Sequence, residues 1–177
     1  AVRHPERVAK LVLYGGYARG WARRDQTSDR TYKAIVDLAR IGWGKENPTF
    51  RQLFTSRFIP GGTPEQLQWF NDLCRKTTTG EVAANILESR AVNDTADQLG
   101  RVKAPTLVLH ARGDEVQPID EGRLLAAGIP GAEFIELDSR NHVLLEHEPA
   151  WRRFCDAVLE FTQGRHTASE DPAFVDL

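Results

Sequence analysis

The sequence predicts an α/β protein with about three parallel strands, flanking helices and a four-helix insertion. Three short, nearly continuous apolar runs lie at 10–14, 106–110 and 134–137, and such runs are typical of strands buried on both faces of a parallel sheet. Between the first two runs no strand pattern is present, and apolar residues recur at helical spacing. Because a parallel connection needs only one crossover helix, residues 17–93 are predicted to form a separate helical subdomain, which we interpret as a lid.

The first elements follow from turn and capping residues. The chain opens with what resembles the end of a helix, closing at 4–7, and continues into the first strand. Gly15-Gly16 ends that strand, and its backbone freedom suits either a simple turn or the close approach of a substrate to the main chain. Capping patterns then predict four helix starts. These are Ser28 or Asp29, Asn47-Pro48, Thr63 with Gln66, and Thr79 or Gly80.

The helical insertion is rich in large apolar side chains. Most of its aromatic residues are expected to form its own core, and the remainder to line an apolar substrate pocket. The tryptophan and phenylalanine residues of the insertion are Trp21, Trp43, Phe50, Phe54, Phe58, Trp69 and Phe70. Helical spacing also places Ile41, Leu73, Val82 and Ile86 on apolar helix faces.

The second half of the chain is predicted to be strand, helix, strand and helix. The strand at 106–110 leads to Asp114, and a helix from Ile119 to Ala127 follows, with Gly128 as its stop. The strand at 134–137 leads to Asn141-His142. A final amphipathic helix begins at Glu148-Pro149, with Trp151, Phe154, Cys155, Val158, Leu159 and Phe161 on one face.

Composition excludes several classes of partner. The net charge of −2 gives no electrostatic reason to expect nucleic acid or an anionic membrane, and no apolar run approaches the roughly 20 residues of a membrane span. Cys74 and Cys155 are expected to be buried free thiols in a reducing cytoplasm. The five histidines show no paired spacing typical of zinc sites. We therefore expect a cytoplasmic protein that binds no metal and no cofactor.

The domain organisation follows from these elements. Residues 1–16 and 94–163 are predicted to form the sheet-containing core around the insertion at 17–93. Residues 164–177 are polar and acidic with little periodicity, which is typical of a flexible tail. The chain contains no methionine and starts at Ala1, so it is expected to be a segment of a longer polypeptide.

Asp114 and His142 are the candidate catalytic residues. A strand, helix, strand unit forces its two strands to be parallel, so both residues emerge at the same edge of the sheet. Open α/β sheets place their chemistry at that edge. A carboxylate that accepts a hydrogen bond from one imidazole nitrogen leaves the other free to take a proton from a nucleophile. The alternatives are a solvated turn aspartate and a loop histidine without a partner.

Three segments and their order resemble the C-terminal half of the α/β-hydrolase fold, from its sixth strand to its end. The segments are HPERVAKLVLYGG, PTLVLHARGDEVQP and IPGAEFIELDSRNHVLLEHEP. The resemblance implies that Asp114 is the acid and His142 the base of a catalytic triad, in a hydrolase of esters, lactones or related acyl or carbon–carbon bonds. The narrower resemblance is to such domains attached to bacterial cyclases and transcriptional regulators.

The sequence departs from the family at the nucleophile. The family carries it on a G-x-S-x-G elbow before the acid and the histidine, and no such motif occurs here. Ser139 lies near His142 in sequence, but it lacks the flanking glycines and the strand-to-helix turn. The chain is therefore expected to be inactive alone, with a serine or aspartate nucleophile and an oxyanion hole supplied by the missing half.

Two further expectations remain open at this stage. The competing function is a non-catalytic ligand-sensing or dimerisation module of a regulator or cyclase, in which Asp114 and His142 would be relics or ligand contacts. The strand at 10–14 is also expected to expose an unpaired edge, through which isolated copies would associate as a homo-oligomer. The substrate of the parent protein is expected to be small and apolar or acyl.

Overall fold

The computed structural model describes residues 1–164 and confirms an α/β fold on a three-stranded parallel sheet. The strands are β1 (Leu11–Tyr14), β2 (Thr106–Ala111) and β3 (Glu133–Leu137), in the order β1-β2-β3. Leu13 pairs with Val108, and Val108 in turn pairs with Phe134. All six residues of β2 are buried, because this central strand has a neighbour on each side and a helix on each face. Apart from Gly164, the predicted tail lies outside the described residues.

Six α-helices within residues 1–164 surround or extend the sheet. They are α1 (Gln26–Gly42), α2 (Thr49–Phe58), α3 (Pro64–Thr77), α4 (Gly80–Ala91), α5 (Ile119–Gly128) and α6 (Pro149–Gln163). On one face of the sheet Val108 packs with Leu125 of α5, and on the other Leu109 packs with Phe161 of α6. None of the helices in residues 1–164 has both the length and the apolar character needed to cross a bilayer.

Strand β1 lies at one edge of this sheet. Its four residues are only partly buried, although the continuous apolar run predicted an internal strand. The reason is that only β2 pairs with β1 among the described residues. The expected association of copies through this edge stays a prediction.

The helical insertion leaves and rejoins the sheet through one narrow connection. The amide of Gly20 donates to the carbonyl of Asn93, and the amide of Thr95 donates to the carbonyl of Ala18. Glu121 of α5 links this connection to the core through hydrogen bonds. Its buried carboxylate accepts from the amides of Ala18 and Arg19 at 3.0 and 2.9 Å, and from the Arg19 guanidinium.

The predicted helix starts agree with the structure in α3 and α4, lie one residue early in α2, where Pro48 is the N-cap residue and not the first helical residue, and differ in α1. Thr63 and Gln66 form a capping box, the Thr79 side chain caps α4, and Asn47 accepts from the amide and hydroxyl of Thr49. However, α1 begins at Gln26 rather than near Ser28. The Asp25 carboxylate caps it by accepting from both the amide and the hydroxyl of Ser28. Residues 5–7 form only a single 3₁₀ turn.

Several apolar residues predicted to face inward are exposed. They are Ile41, Leu73, Val82, Ile86, Trp69, Trp151 and Leu159. For the residues of the insertion, the reason is that its core, centred on Trp21, Trp43 and Ala84, covers a narrower stripe of each helix than the apolar residues of that helix span. Trp151 and Leu159 lie on α6, outside the insertion. Cys74 is buried as expected, whereas Cys155 is only partly buried, and both thiols are free.

Replacing Glu121 with glutamine should destabilise the fold. The change removes the charge that strengthens four hydrogen bonds to a buried carboxylate, so the free energy of unfolding should fall by about 2 kcal/mol. Urea denaturation measures this difference. Glu88→Gln is the matched control, because Glu88 makes a half-exposed ion pair with Arg40 that contributes less than about 1 kcal/mol. Equal midpoints for the two variants would contradict the assignment.

Candidate active site

Asp114 lies just beyond the carboxyl end of β2, in a turn that binds its carboxylate. The amide of Asp114 donates to the carbonyl of Ala111, which turns the chain away from the strand. Its Oδ1 then accepts from the amides of Val116 and Gln117 at 2.7 and 2.9 Å. The side chain is fully buried, so these two bonds supply the partners that a buried charge requires.

His142 lies beyond β3, and its Nδ1 is 2.6 Å from Oδ2 of Asp114. The structure thus brings together the two residues that the strand ends singled out. Because an ionised carboxylate only accepts hydrogen bonds, Nδ1 carries the proton and Nε2 has a free lone pair. The His142 side chain is 21% exposed. The imidazole is therefore held by a buried acid and remains reachable from outside.

Gly15 lies directly against this pair, a role that the sequence did not reveal. It has a φ of +56°, in the left-handed region that favours glycine. A Cβ atom at this position would be 2.9 Å from Cε1 of His142 and 3.6 Å from Oδ2 of Asp114. The absence of a side chain at residue 15 therefore makes room for the imidazole.

The loop that carries His142 is fixed by a partly buried polar network around Glu148. The Glu148 carboxylate accepts from the Ser139 hydroxyl, the Asn141 side-chain amide and the Leu145 amide. The Tyr14 hydroxyl donates to the Asn141 carbonyl. Burial raises the pKa of Tyr14, with further contributions from Asp114 and Glu148, so this phenol stays protonated and keeps its donor.

The helical insertion also contacts the histidine loop. The Gly61 amide donates to Oδ1 of Asn141 at 2.8 Å, and the Val143 amide donates to the Phe58 carbonyl at 3.0 Å. The Phe58 ring packs edge-on against the imidazole of His142 at 5.2 Å between centroids. The insertion therefore helps to orient the candidate base.

Ser139 has a structural role. Its hydroxyl donates to Glu148 at 2.5 Å and accepts from the Asn141 amide at 2.9 Å. Since its single proton is held by Glu148, it has no proton to give to His142. The Ser28 hydroxyl likewise donates to Asp25, and the Ser89 hydroxyl to the Ile86 carbonyl.

A cavity with a volume of about 30 Å³ lies between the insertion and the acid-bearing turn. Val116 and Gln117 of that turn line it, as does Phe58, which packs on His142. Its other lining residues are mainly aromatic or apolar, with three arginines, Arg24, Arg57 and Arg90, and no carboxylate. Arg24 donates to the Gln117 side chain, and burial lowers its pKa.

No cluster of three or more histidine, cysteine or acidic side chains that could hold a metal ion occurs within residues 1–164.

The Asp114 carboxylate has a second histidine beside it. Nε2 of His110 is 3.7 Å from Oδ2 of Asp114, the same oxygen that His142 contacts. The acid therefore has two imidazoles near one oxygen.

Comparison with known proteins identifies the architecture. No model of a protein family matches the chain. A 2-hydroxy-6-oxononadienedioate/2-hydroxy-6-oxononatrienedioate hydrolase from Paraburkholderia phymatum is 32% identical over 174 residues, covering 91% of the chain and 56% of that enzyme. An esterase from Exiguobacterium antarcticum superposes with a TM-score of 0.74 at 17% identity, covering 92% of the chain and 62% of the esterase.

The chain has a partial α/β-hydrolase fold, and its relatives and structural neighbours are α/β hydrolases. A second curated relative, a Pseudomonas putida hydrolase with the same substrate name, is 29% identical and is covered over 57% of its length. The chain thus spans little more than half the length of the curated relatives it matches. This agrees with the predicted partial α/β-hydrolase fold.

Replacing Gly15 with alanine should displace the His142 imidazole. The left-handed backbone costs about 1–3 kcal/mol for a residue with a Cβ atom, and the new methyl group would overlap Cε1 of the ring. The hydrogen-bonded Nδ1 proton of His142, observed by NMR at low field, should broaden or vanish. Gly44→Ala is the control, because nothing lies within 4 Å of a Cβ there. An unchanged signal in Gly15→Ala would contradict the packing described.

Proposed function

We propose that residues 1–177 are the acid-and-base part of an α/β-hydrolase that cleaves ester, lactone or related acyl or carbon–carbon bonds. The observation that carries this proposal is the 2.6 Å hydrogen bond between the buried Asp114 carboxylate and the partly exposed His142 imidazole. Its geometry leaves Nε2 of His142 as a proton acceptor, which is the arrangement that a nucleophile-histidine-acid triad requires.

The chemistry follows from the protonation states. As a serine hydroxyl attacks the acyl carbon, Nε2 of His142 takes its proton, and the resulting imidazolium is stabilised by Asp114. His142 then gives the proton to the leaving group, and the acyl-enzyme is hydrolysed by water that His142 deprotonates. With an aspartate nucleophile, His142 would act in the second step only.

The nucleophile and the oxyanion hole are proposed to come from sequence outside these 177 residues. No G-x-S-x-G motif occurs in the chain, and the hydroxyl of Ser139 is engaged by Glu148. The relatives extend well beyond the length matched here. The chain by itself should therefore lack hydrolase activity, because the nucleophile and the oxyanion donors together supply most of the rate enhancement.

The cavity supports a substrate that combines an apolar body with a carboxylate. Three arginines line the cavity. Arg24 is 3.8 Å from the Glu121 carboxylate, whereas Arg57 and Arg90 have no carboxylate partner within the cavity lining, and arginine is well suited to bind carboxylates. Two relatives are named for dioate substrates, which favours the same class. The insertion at 17–93 is proposed to be the lid over this cavity, and the free thiols of Cys74 and Cys155 suit a cytoplasmic protein.

Substitutions of the triad residues should abolish turnover in a polypeptide that joins this chain to its elbow segment. Asp114→Asn and His142→Ala should each lower kcat for short acyl esters by about a thousandfold or more. The matched controls are Asp138→Asn and His147→Ala, whose side chains lie exposed at the same end of the sheet. These controls should retain activity. Turnover that survives in both triad variants would refute the catalytic assignment, and absence of an elbow in the longer polypeptide would favour the sensing module instead.

A carboxylate on an apolar ligand should strengthen its binding to the cavity. We expect propionate to bind about tenfold more tightly than its neutral amide, propanamide, because charge-assisted hydrogen bonds to arginine are stronger than neutral ones. Isothermal titration calorimetry measures both affinities. Arg57→Gln and Arg90→Gln should remove the difference, whereas Arg75→Gln, on the exposed side of α3, should preserve it. Equal affinities for the two ligands in the unmodified protein would exclude an anion site.

A further inference from the structure

His110 is a fully buried polar residue in the middle of the sheet, between the apolar Leu109 and Ala111 of β2. Its Nε2 lies 2.9 Å from the carbonyl oxygen of Gln117. A carbonyl oxygen can only accept a hydrogen bond, so Nε2 carries the proton and donates it. The tautomer of His110 is thereby fixed, with the lone pair of the neutral ring on Nδ1.

Gln117, whose carbonyl accepts a hydrogen bond from His110, also donates one to Asp114. The amide of Gln117 donates to Oδ1 of Asp114, alongside the amide of Val116. The main-chain carbonyl of Gln117 is therefore hydrogen-bonded to His110, and its main-chain amide to Asp114. The imidazole therefore supports the acid-bearing turn from within the sheet, and its Nε2 is 3.7 Å from Oδ2 of Asp114.

Two features show that an imidazole at this position is unfavourable for stability. A Cβ atom at residue 122 would be only 2.4 Å from Nδ1 of His110, so helix α5 needs a glycine in its interior, where glycine is unfavourable. Nδ1 is also buried without a hydrogen-bond partner among the described residues, which adds a desolvation cost. An apolar side chain would avoid the second cost, so His110 contributes something other than core packing.

We propose that His110 is a positioning residue for the catalytic acid. It fixes the Gln117 carbonyl, which sets the turn that holds Oδ1 of Asp114, and this directs Oδ2 at His142. The inference rests on the proposed function for its catalytic consequence, but the geometry it explains can be tested without activity. His110 does not contact the reacting atoms and acts only through Asp114.

The test compares His110→Leu with His110→Gln. Leucine fills the space without a donor, whereas the side-chain amide of glutamine places an N–H group at about the position of Nε2. The first readout is the low-field Nδ1 proton of His142 in NMR spectra of the chain. It should broaden or shift in His110→Leu and stay as in the unmodified chain in His110→Gln.

The second readout is kinetic and uses the elbow-bearing polypeptide. His110→Leu should lower kcat by about tenfold to a hundredfold with KM unchanged, as expected when a catalytic group is misplaced by a fraction of an ångström to one ångström. His110→Gln should restore kcat to within about threefold. If His110→Leu does not fold, Gly122→Ala displaces the same ring while leaving residue 110 intact, and it should weaken the same NMR signal.

Three results would overturn the proposal. They are an unchanged His142 resonance in His110→Leu, a His110→Gln variant that behaves like His110→Leu, and a loss of stability without any change in the resonance or in kcat. Absence of activity in every form of the elbow-bearing polypeptide would refute the proposed function alone, because the NMR readout would still report on the acid-bearing turn.

Discussion

The buried carboxylate of Asp114 is the constraint on which the site depends. A charge removed from water must be matched by hydrogen bonds, and here they come from two amides of its own turn and from the imidazole of His142. That requirement fixes the turn after β2, the direction of the carboxylate and the tautomer of the histidine. It also explains why residue 15 of the neighbouring strand carries no side chain.

Much of the architecture was predictable because it depends on local patterns. The apolar runs identified all three strands, and the ends of two of them identified Asp114 and His142, since parallel strands bring their carboxyl ends to one edge. Thr63 with Gln66, and Thr79, identified helix starts because a cap depends only on the next few residues. The predicted start of α1 at Ser28 was wrong because Asp25, three positions earlier, is an equally good capping residue. The Asp25 carboxylate accepts from both the amide and the hydroxyl of Ser28.

The features that sequence did not predict all depend on residues distant in the chain. The local sequence gives no sign that Glu121 of α5 is buried against the amides of Ala18 and Arg19. The exposure of Leu73 and Ile86 depends on which helices pack in the insertion, which periodicity alone does not specify. Arg24, Arg57 and Arg90 are separated in sequence, and only folding places them around one cavity.

The contacts between the insertion and the histidine loop limit how the protein can be altered. Phe58 and Gly61 provide main-chain hydrogen-bonding groups to Val143 and Asn141, so the segment joining α2 and α3 is part of the scaffold for His142. An insertion taken from another hydrolase to change substrate preference would lack the two hydrogen bonds that help to orient the imidazole of His142. Modular exchange of this subdomain must therefore retain residues 58–61.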